Sequence, residues 1–280
     1  MKLKDIDGKF VVITGGSSGI GFSIAQRLAE QGARILLVAR NEKKLRDAAA
    51  KLNNIAEHNV KIISVDVSQP TDVERLKYTV QKEAGCADII INSAGIVSAG
   101  LLDEVPMAEW DRLHNINVRG LVQVLQALIP DMKKAHQNDQ KDRHIINIAS
   151  AAGIISFPGM SAYSATKAAV IALTDCLRIE LAPLKIGVTS VCPGFVQTPI
   201  SDTIQLFGKM EHPKTRKRVE AMFHSGGLTP EMVANKTLEA LVKNKGNIVV
   251  GREVRIASVL KRISAPFVTK IIARSLPSYN

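Results

Sequence analysis

Aromatic residues are scarce: Phe, Trp and Tyr make up 4% of the 280 residues. Surfaces that bind nucleic acid by stacking interleave such rings with basic side chains. No recognised motif of that kind accompanies the formal net charge of +11, so no nucleic-acid partner is expected. Cysteine is scarcer. Cys86, Cys176 and Cys192 are scattered and odd in number, which argues against a disulfide framework. They also lack zinc-site spacing, and no metal is expected. No apolar run reaches the roughly 18 residues of a spanning helix. Met1-Lys2-Leu3-Lys4-Asp5 shows no apolar signal region. The expected location is the cytoplasm, with peripheral membrane attachment left open. No Pro/Gly/Ser-rich spacer or internal repeat divides the chain.

What is present is an alternation. Hydrophobic residues make up 46% of the chain, ample for a core. Strand and helix patterns succeed one another up to the C-terminal quarter, which predicts one α/β domain with a doubly wound parallel sheet. Phe10–Ile13 reads as a buried strand and Phe22–Glu30 as a helix. Between them runs Thr14-Gly15-Gly16-Ser17-Ser18-Gly19-Ile20-Gly21. Strand, glycine loop and helix N-terminus together cradle a pyrophosphate: glycine lets backbone approach it, and the helix end offers free N–H groups. Gly15–Gly19 also fits the G-x-S-x-G nucleophile elbow of hydrolases. His58, His114, His136, His144, His212 and His224 show no setting that would complete such a triad.

Ala33–Ala39 reads as the second strand, followed by Arg40-Asn41. Dinucleotide folds place an acid there for ribose hydroxyls, or an Arg for a 2′-phosphate. Arg40 therefore predicts NADP(H) over NAD(H). Helix Glu42–Asn53 precedes strand Val60–Val65, which ends in Asp66-Val67; Asp66 is either a turn former or an acceptor for an adenine amino group. Helix Thr71–Ala84 precedes strand Asp88–Ile91 and the small residues Asn92-Ser93-Ala94-Gly95, where backbone can lie close to a flat ring. Met107–Lys134 is helical in pattern, with a break expected near Pro130. It contains Asn117, an amide that needs partners in apolar surroundings. Strand His144–Ile148 leads to Ser150. Tyr163 and Lys167 share one face of a helix running to Leu181. Strand Gly187–Cys192 ends in Pro193-Gly194, then Val196-Gln197-Thr198-Pro199.

In this order and spacing the set resembles the short-chain dehydrogenase/reductase family, over residues 8 to about 200 and weakly to about 251. T-G-x-x-x-G-x-G matches Thr14–Gly21, N-x-A-G matches Asn92–Gly95 with Ser93 a departure, and Y-x-x-x-K matches Tyr163 and Lys167. The resemblance implies a Rossmann fold and hydride transfer between a nicotinamide and a carbonyl or carbinol carbon. It implies a catalytic set of Asn117, Ser150, Tyr163 and Lys167. Tyr163 would be the general acid, its pKa lowered by Lys167 and by the oxidised cofactor. Ser150 would polarise the substrate oxygen, and Asn117 would hold a relay water. Cofactor contacts are expected from Gly15, Ser17, Ser18, Gly19, Ile20 and Gly21; from Arg40, Asp66 and Val67; from Asn92, Ala94 and Gly95; and from Tyr163, Lys167, Pro193, Gly194, Val196 and Thr198. It also implies a homodimer or homotetramer through the long helices.

Residues 201–280 hold 14 Lys and Arg against 6 Asp and Glu. A substrate lid is expected over about 200–228, bearing the basic run Lys214–Arg218. After a domain over 1–254, residues 255–280 form a basic amphipathic tail divided by Pro266, for which an anionic membrane interface or packing on protein are both open. A lipophilic substrate follows from the first. Family members that reduce long-chain keto-sphingoid bases (3-ketodihydrosphingosine reductase), sterols and retinoids look similar. Two other readings are a soluble 3-oxoacyl-thioester reductase and a non-catalytic scaffold that binds cofactor.

Overall fold

Seven parallel strands form the central sheet in the computed structural model. It describes residues 5–55, 59–200, 203–225 and 227–274, with backbone alone for residues 218, 220, 222–225 and 274. His58, the side chains of Arg218 and His224, lid residues Ser201 and Asp202, and tail residues 275–280 with Leu276 lie outside the described part.

The strands are β1 Phe10–Thr14, β2 Arg34–Ala39, β3 Val60–Ser64, β4 Ile89–Asn92, β5 Ser98–Ala99, β6 Arg143–Ile148, β7 Ile186–Pro193, β8 Gln205–Leu206 and β9 Asn247–Val250. The sheet order is β3-β2-β1-β4-β6-β7-β9, so the winding reverses between β1 and β4. Nearly every strand residue of β1, β4, β6 and β7 is buried on both faces, as a sheet covered twice requires. Helices α1 Gly19–Ala29, α2 Glu42–Asn53, α3 Pro70–Ala84, α4 Met107–His114, α5 Leu121–Asp139, α6 Ser161–Leu181, α7 Pro213–Ser225 and α8 Pro230–Val242 follow in chain order. Two apolar clusters lie on opposite sides of the sheet. One joins β1 and β2 to α1, α2 and α8 through Ile13, Ile24, Leu45 and Val233; the other runs from Val12 to Leu125 and Val170. The chain is a single Rossmann-type domain with helices on both faces.

Two expectations change. The long helix does not break at Pro130. α5 runs through it, because the carbonyl that Pro130 leaves without a donor belongs to Gln126, and both residues are on the exposed face. The interruption lies earlier, at Asn115–Gly120, where one π-helical turn joins α4 to α5. The short parallel ribbon β5–β8, pairing Ser98 with Gln205 and Ala99 with Leu206, also went unread. It ties the segment after β7 to the loop after β4, and the exposed Lys214, Arg216 and Lys217 follow on α7.

The tail occupies α9 Arg252–Ile263 and α10 Ala265–Arg274, with extended Ser264 between them, directly before Ala265-Pro266. No helix among the described residues is long and apolar enough to cross a membrane.

Candidate active site

Strand ends at a winding reversal leave a crevice, because neighbouring connections depart to opposite faces. Here the loops after β1, β2, β4, β6 and β7 surround one cavity of about 350 Å³. Gly15, Ser17, Ser18, Gly19 and Ile20 line one end. Arg40, Asp66 and Val67 border it, Ala94 and Gly95 line the middle, and Ser150, Tyr163, Lys167, Pro193, Gly194, Val196 and Thr198 complete the wall. Gly21, Asn92 and Asn117 do not line it.

The glycine loop is built for close approach. Gly15 has φ +67°, and a Cβ there would stand 2.7 Å from the Ser93 carbonyl oxygen. Ser18 precedes α1 in extended conformation without a side-chain cap, and the first helical turn holds no acid. An anion at that helix end would meet N–H groups and the positive end of the dipole. Thr14 fixes the opposite lip: its Oγ1 accepts from the N–H groups of Ser93 at 3.1 Å and Ala94 at 3.2 Å. Below, Asn92 Nδ2 donates to Asn147 Oδ1 at 2.9 Å, and Asn147 Nδ2 donates to Thr174 Oγ1 at 3.0 Å. This buried chain ties β4, β6 and α6 together, so Asn92 supports the wall from behind.

Arg40 is exposed at the end of β2, and its guanidinium makes no ion pair among the described residues. Lys44, in the first turn of α2, lines the same corner. Asp66 Oδ1 already accepts from the Ser68 N–H at 2.9 Å and its hydroxyl at 2.7 Å. The turn reading of Asp66 is therefore realised through Oδ1.

At the other end, the loop after Ser150 packs on α6. A Cβ on Gly153 would stand 2.7 Å from the Lys167 carbonyl carbon, so this position carries no side chain. Ser150 Oγ accepts from the Ala152 N–H at 3.1 Å, which leaves its own proton to be donated. Lys167 is buried, its Nζ donates to the Ile148 carbonyl at 3.0 Å, and it lies 5.8 Å from the centre of the Tyr163 ring. Asn117 is held by three bonds. Its Oδ1 accepts from the Ile96 N–H, and its Nδ2 donates to the Ile96 carbonyl and to Thr166 Oγ1.

The electrostatics of the protein alone reverse one expectation. Burial pushes the Tyr163 phenol up to about 12, with the Ser150 hydroxyl opposing the shift. Burial pushes Lys167 down to about 8. The ammonium bonds a backbone carbonyl instead of the phenol, so desolvation outweighs attraction. Cys192, buried at the end of β7 beside Ser150 and Lys167, is pushed up to about 12 by burial, which keeps it a thiol at neutral pH.

The short chain dehydrogenase family model matches residues 9–207. The chain belongs to the short-chain dehydrogenase family. An uncharacterized oxidoreductase of Staphylococcus epidermidis is 38% identical over 213 residues, 76% of this chain and 86% of that one. A short-chain dehydrogenase/reductase of Burkholderia phymatum in complex with NAD superposes with a TM-score of 0.84 at 27% identity, covering 94% of this chain and 96% of that one. L-sorbose reductase of Gluconobacter frateurii, complexed with NADPH and L-sorbose, has a TM-score of 0.76 at 27% identity, covering 90% and 97%. The two solved structures hold different nucleotides, NAD and NADPH, so the likeness establishes an oxidoreductase of the short-chain dehydrogenase type and leaves NADP against NAD to the residues.

Several wall residues of this short-chain dehydrogenase carried no motif. Phe157, Met160, Phe195 and Ile200 make the end beside Tyr163 apolar, and the rings of Phe157 and Phe195 meet edge to face at 5.6 Å. Thr166 joins Asn117 to α6 by donating to the Tyr163 carbonyl at 2.7 Å. Lys44, in the first turn of α2, likewise belonged to no motif.

Proposed function

We propose that this short-chain dehydrogenase interconverts a ketone and a secondary alcohol with NADP(H), on a lipophilic substrate. One observation carries the reading. A glycine loop suited to a pyrophosphate and the Ser150, Tyr163 and Lys167 side chains line a single cavity. The loop residues Gly15 to Ile20 fit a pyrophosphate, because all but Gly16 line the cavity and they lead into the N-terminus of α1, whose first turn holds no acid. Arg40 and Lys44 offer two cations to a 2′-phosphate. Asp66, Val67 and Ala94 would border the adenine, Lys167 and Tyr163 would hold the ribose hydroxyls, and Gly194, Val196 and Thr198 would border the carboxamide; all line the cavity. When bound, the nicotinamide supplies or accepts the hydride.

The chain's own groups then handle the oxygen. Tyr163 gives its phenolic proton to the oxygen of the reduced carbonyl, and takes one back in oxidation. Ser150 donates its remaining proton to the same oxygen and orients it. Lys167 would hold the ribose hydroxyls and places its positive charge 5.8 Å from the centre of the Tyr163 ring. Asn117 keeps residue 96 and α6 in register, and the second lone pair of its Oδ1 remains for a relay water. The apolar end formed by Phe157, Met160, Phe195 and Ile200 favours a substrate with a hydrocarbon flank, and long-chain keto-sphingoid compounds head the panel to test.

Fluorescence titration with NADPH and NADH tests the cofactor assignment. NADPH binds more tightly in the wild type, and Arg40→Ala removes the preference. Equal binding of both nucleotides, unmoved by Arg40→Ala, would contradict it.

A further inference from the structure

Thirteen large apolar side chains are exposed among the described residues, and six of them stand on α9 and α10. Ile256, Val259, Leu260 and Ile263 recur at helical spacing along one face of α9, with Ile263 77% exposed. Phe267 and Ile271 are exposed one turn apart on α10, so each helix carries an apolar stripe, while Val268 is buried. A soluble surface rarely gathers apolar groups so closely without a partner.

The charges beside the stripe select that partner. Residues 254–280 contain no Asp or Glu. Arg255, Arg262 and Lys270 are exposed along α9 and α10 and make no ion pair among the described residues. A second copy of this chain meeting the stripe about a two-fold axis would bring the same cations together. A surface that is apolar inside and anionic outside satisfies both features at once.

The helix pair is also fixed to the domain next to the cavity. Lys261 turns away from the other cations, and its Nζ donates to the Ile154 carbonyl at 2.7 Å. Ile154 lies three residues before Phe157 of the cavity wall. At the start of α9, Val254 Cγ2 is 3.0 Å from where a Cβ on Gly194 would stand, and Gly194 lines the cavity. The stripe is thus carried by a buttressed element.

We propose that α9 and α10 dock in the plane of an anionic lipid bilayer surface, with the apolar stripe among the acyl chains and Arg255, Arg262 and Lys270 at the headgroups. This contact does not depend on which substrate the cavity takes.

Co-sedimentation of the full chain with phosphatidylcholine vesicles, with and without phosphatidylserine, tests it. The protein sediments with the phosphatidylserine vesicles, less so as salt is raised. Replacing Ile263 and Phe267 together by Ser lowers vesicle affinity roughly tenfold or more, and Arg255→Gln lowers it roughly fivefold. Ile179→Ser, at an exposed apolar site on α6, leaves binding unchanged. All these side chains are exposed, so unaltered circular dichroism accompanies each variant. Binding that ignores phosphatidylserine, or that survives the paired Ser substitutions, overturns the proposal. So does a lipid-free dimer that the same substitutions dissociate, because a second copy would then own the stripe.

Discussion

Asn117 binds both backbone groups of Ile96, accepting from its N–H at 2.8 Å and donating to its carbonyl at 2.9 Å. The π-helical turn Asn115–Gly120 thereby holds the strand-end loop that follows β4. A further donation to Thr166 Oγ1 at 3.1 Å reaches α6, which carries Tyr163 and Lys167. One amide therefore connects three elements of the site.

Asn117→Ala strips two partly buried backbone groups of their partners. The expected loss of stability is about 2–3 kcal/mol, read from urea unfolding midpoints. Thr166→Val removes one of the three bonds, together with the Thr166 donation to the Tyr163 carbonyl, and should cost about 1–2 kcal/mol. Equal stability of Asn117→Ala and wild type would show that Ile96 finds other partners.

Gly15 and Gly8 both have φ +67°, but only at Gly15 does a Cβ collide with backbone, at Ser93. Ala at either site carries a conformational cost of about 1 kcal/mol. Gly15→Ala should in addition weaken NADPH binding roughly tenfold, through displacement of the loop against Ser93. Gly8→Ala should bind NADPH as the wild type does. Isothermal calorimetry on the two variants separates backbone strain from the collision.

His144 is wholly buried in β6, and burial pushes it down to about 3, with Arg178 adding repulsion. Its folded pKa lies below the unfolded value near 6.5, so the unfolded chain takes up a proton first as pH falls. Stability from the neutral imidazole is complete above about pH 6.5 and declines toward pH 3, at up to about 1.4 kcal/mol per pH unit. Unfolding free energy measured against pH shows this slope. A variant lacking the ring, His144→Val, should show less of it; an identical slope would assign the proton elsewhere.

Lys167 is pushed down to about 8, so its charge is present below that pH and lost above it. NADPH affinity should be level at neutral pH and fall as pH rises through about 8. Lys167→Met should bind weakly with no such step, as tracked by NADPH fluorescence.

The strand and helix sequence through β7 was legible because buried parallel strands read as short apolar runs and the helices keep a 3.6-residue period. Arg40 could be read from its place directly after β2, whereas Ser150, Tyr163 and Lys167 could be read only through the family resemblance that their order and spacing carry. Three features were not legible. The π turn at Asn115–Gly120 comes from Asn117 reaching Ile96, a bond 21 residues distant in the chain. The β5–β8 ribbon is two residues long on each side and has no period to read. The upward shift of Tyr163 depends on how far burial removes it from water, and on Lys167 turning to the Ile148 carbonyl.

Tyr163→Phe tests the assignment most directly, since it removes one oxygen from a ring that otherwise stays in place. NADPH binding, followed by fluorescence, and NADPH oxidation, with the best ketone from a lipophilic panel, are measured on the same preparations. The account predicts near-wild-type NADPH affinity with turnover lowered at least about a hundredfold. Turnover equal to the wild type would contradict Tyr163 as the proton donor.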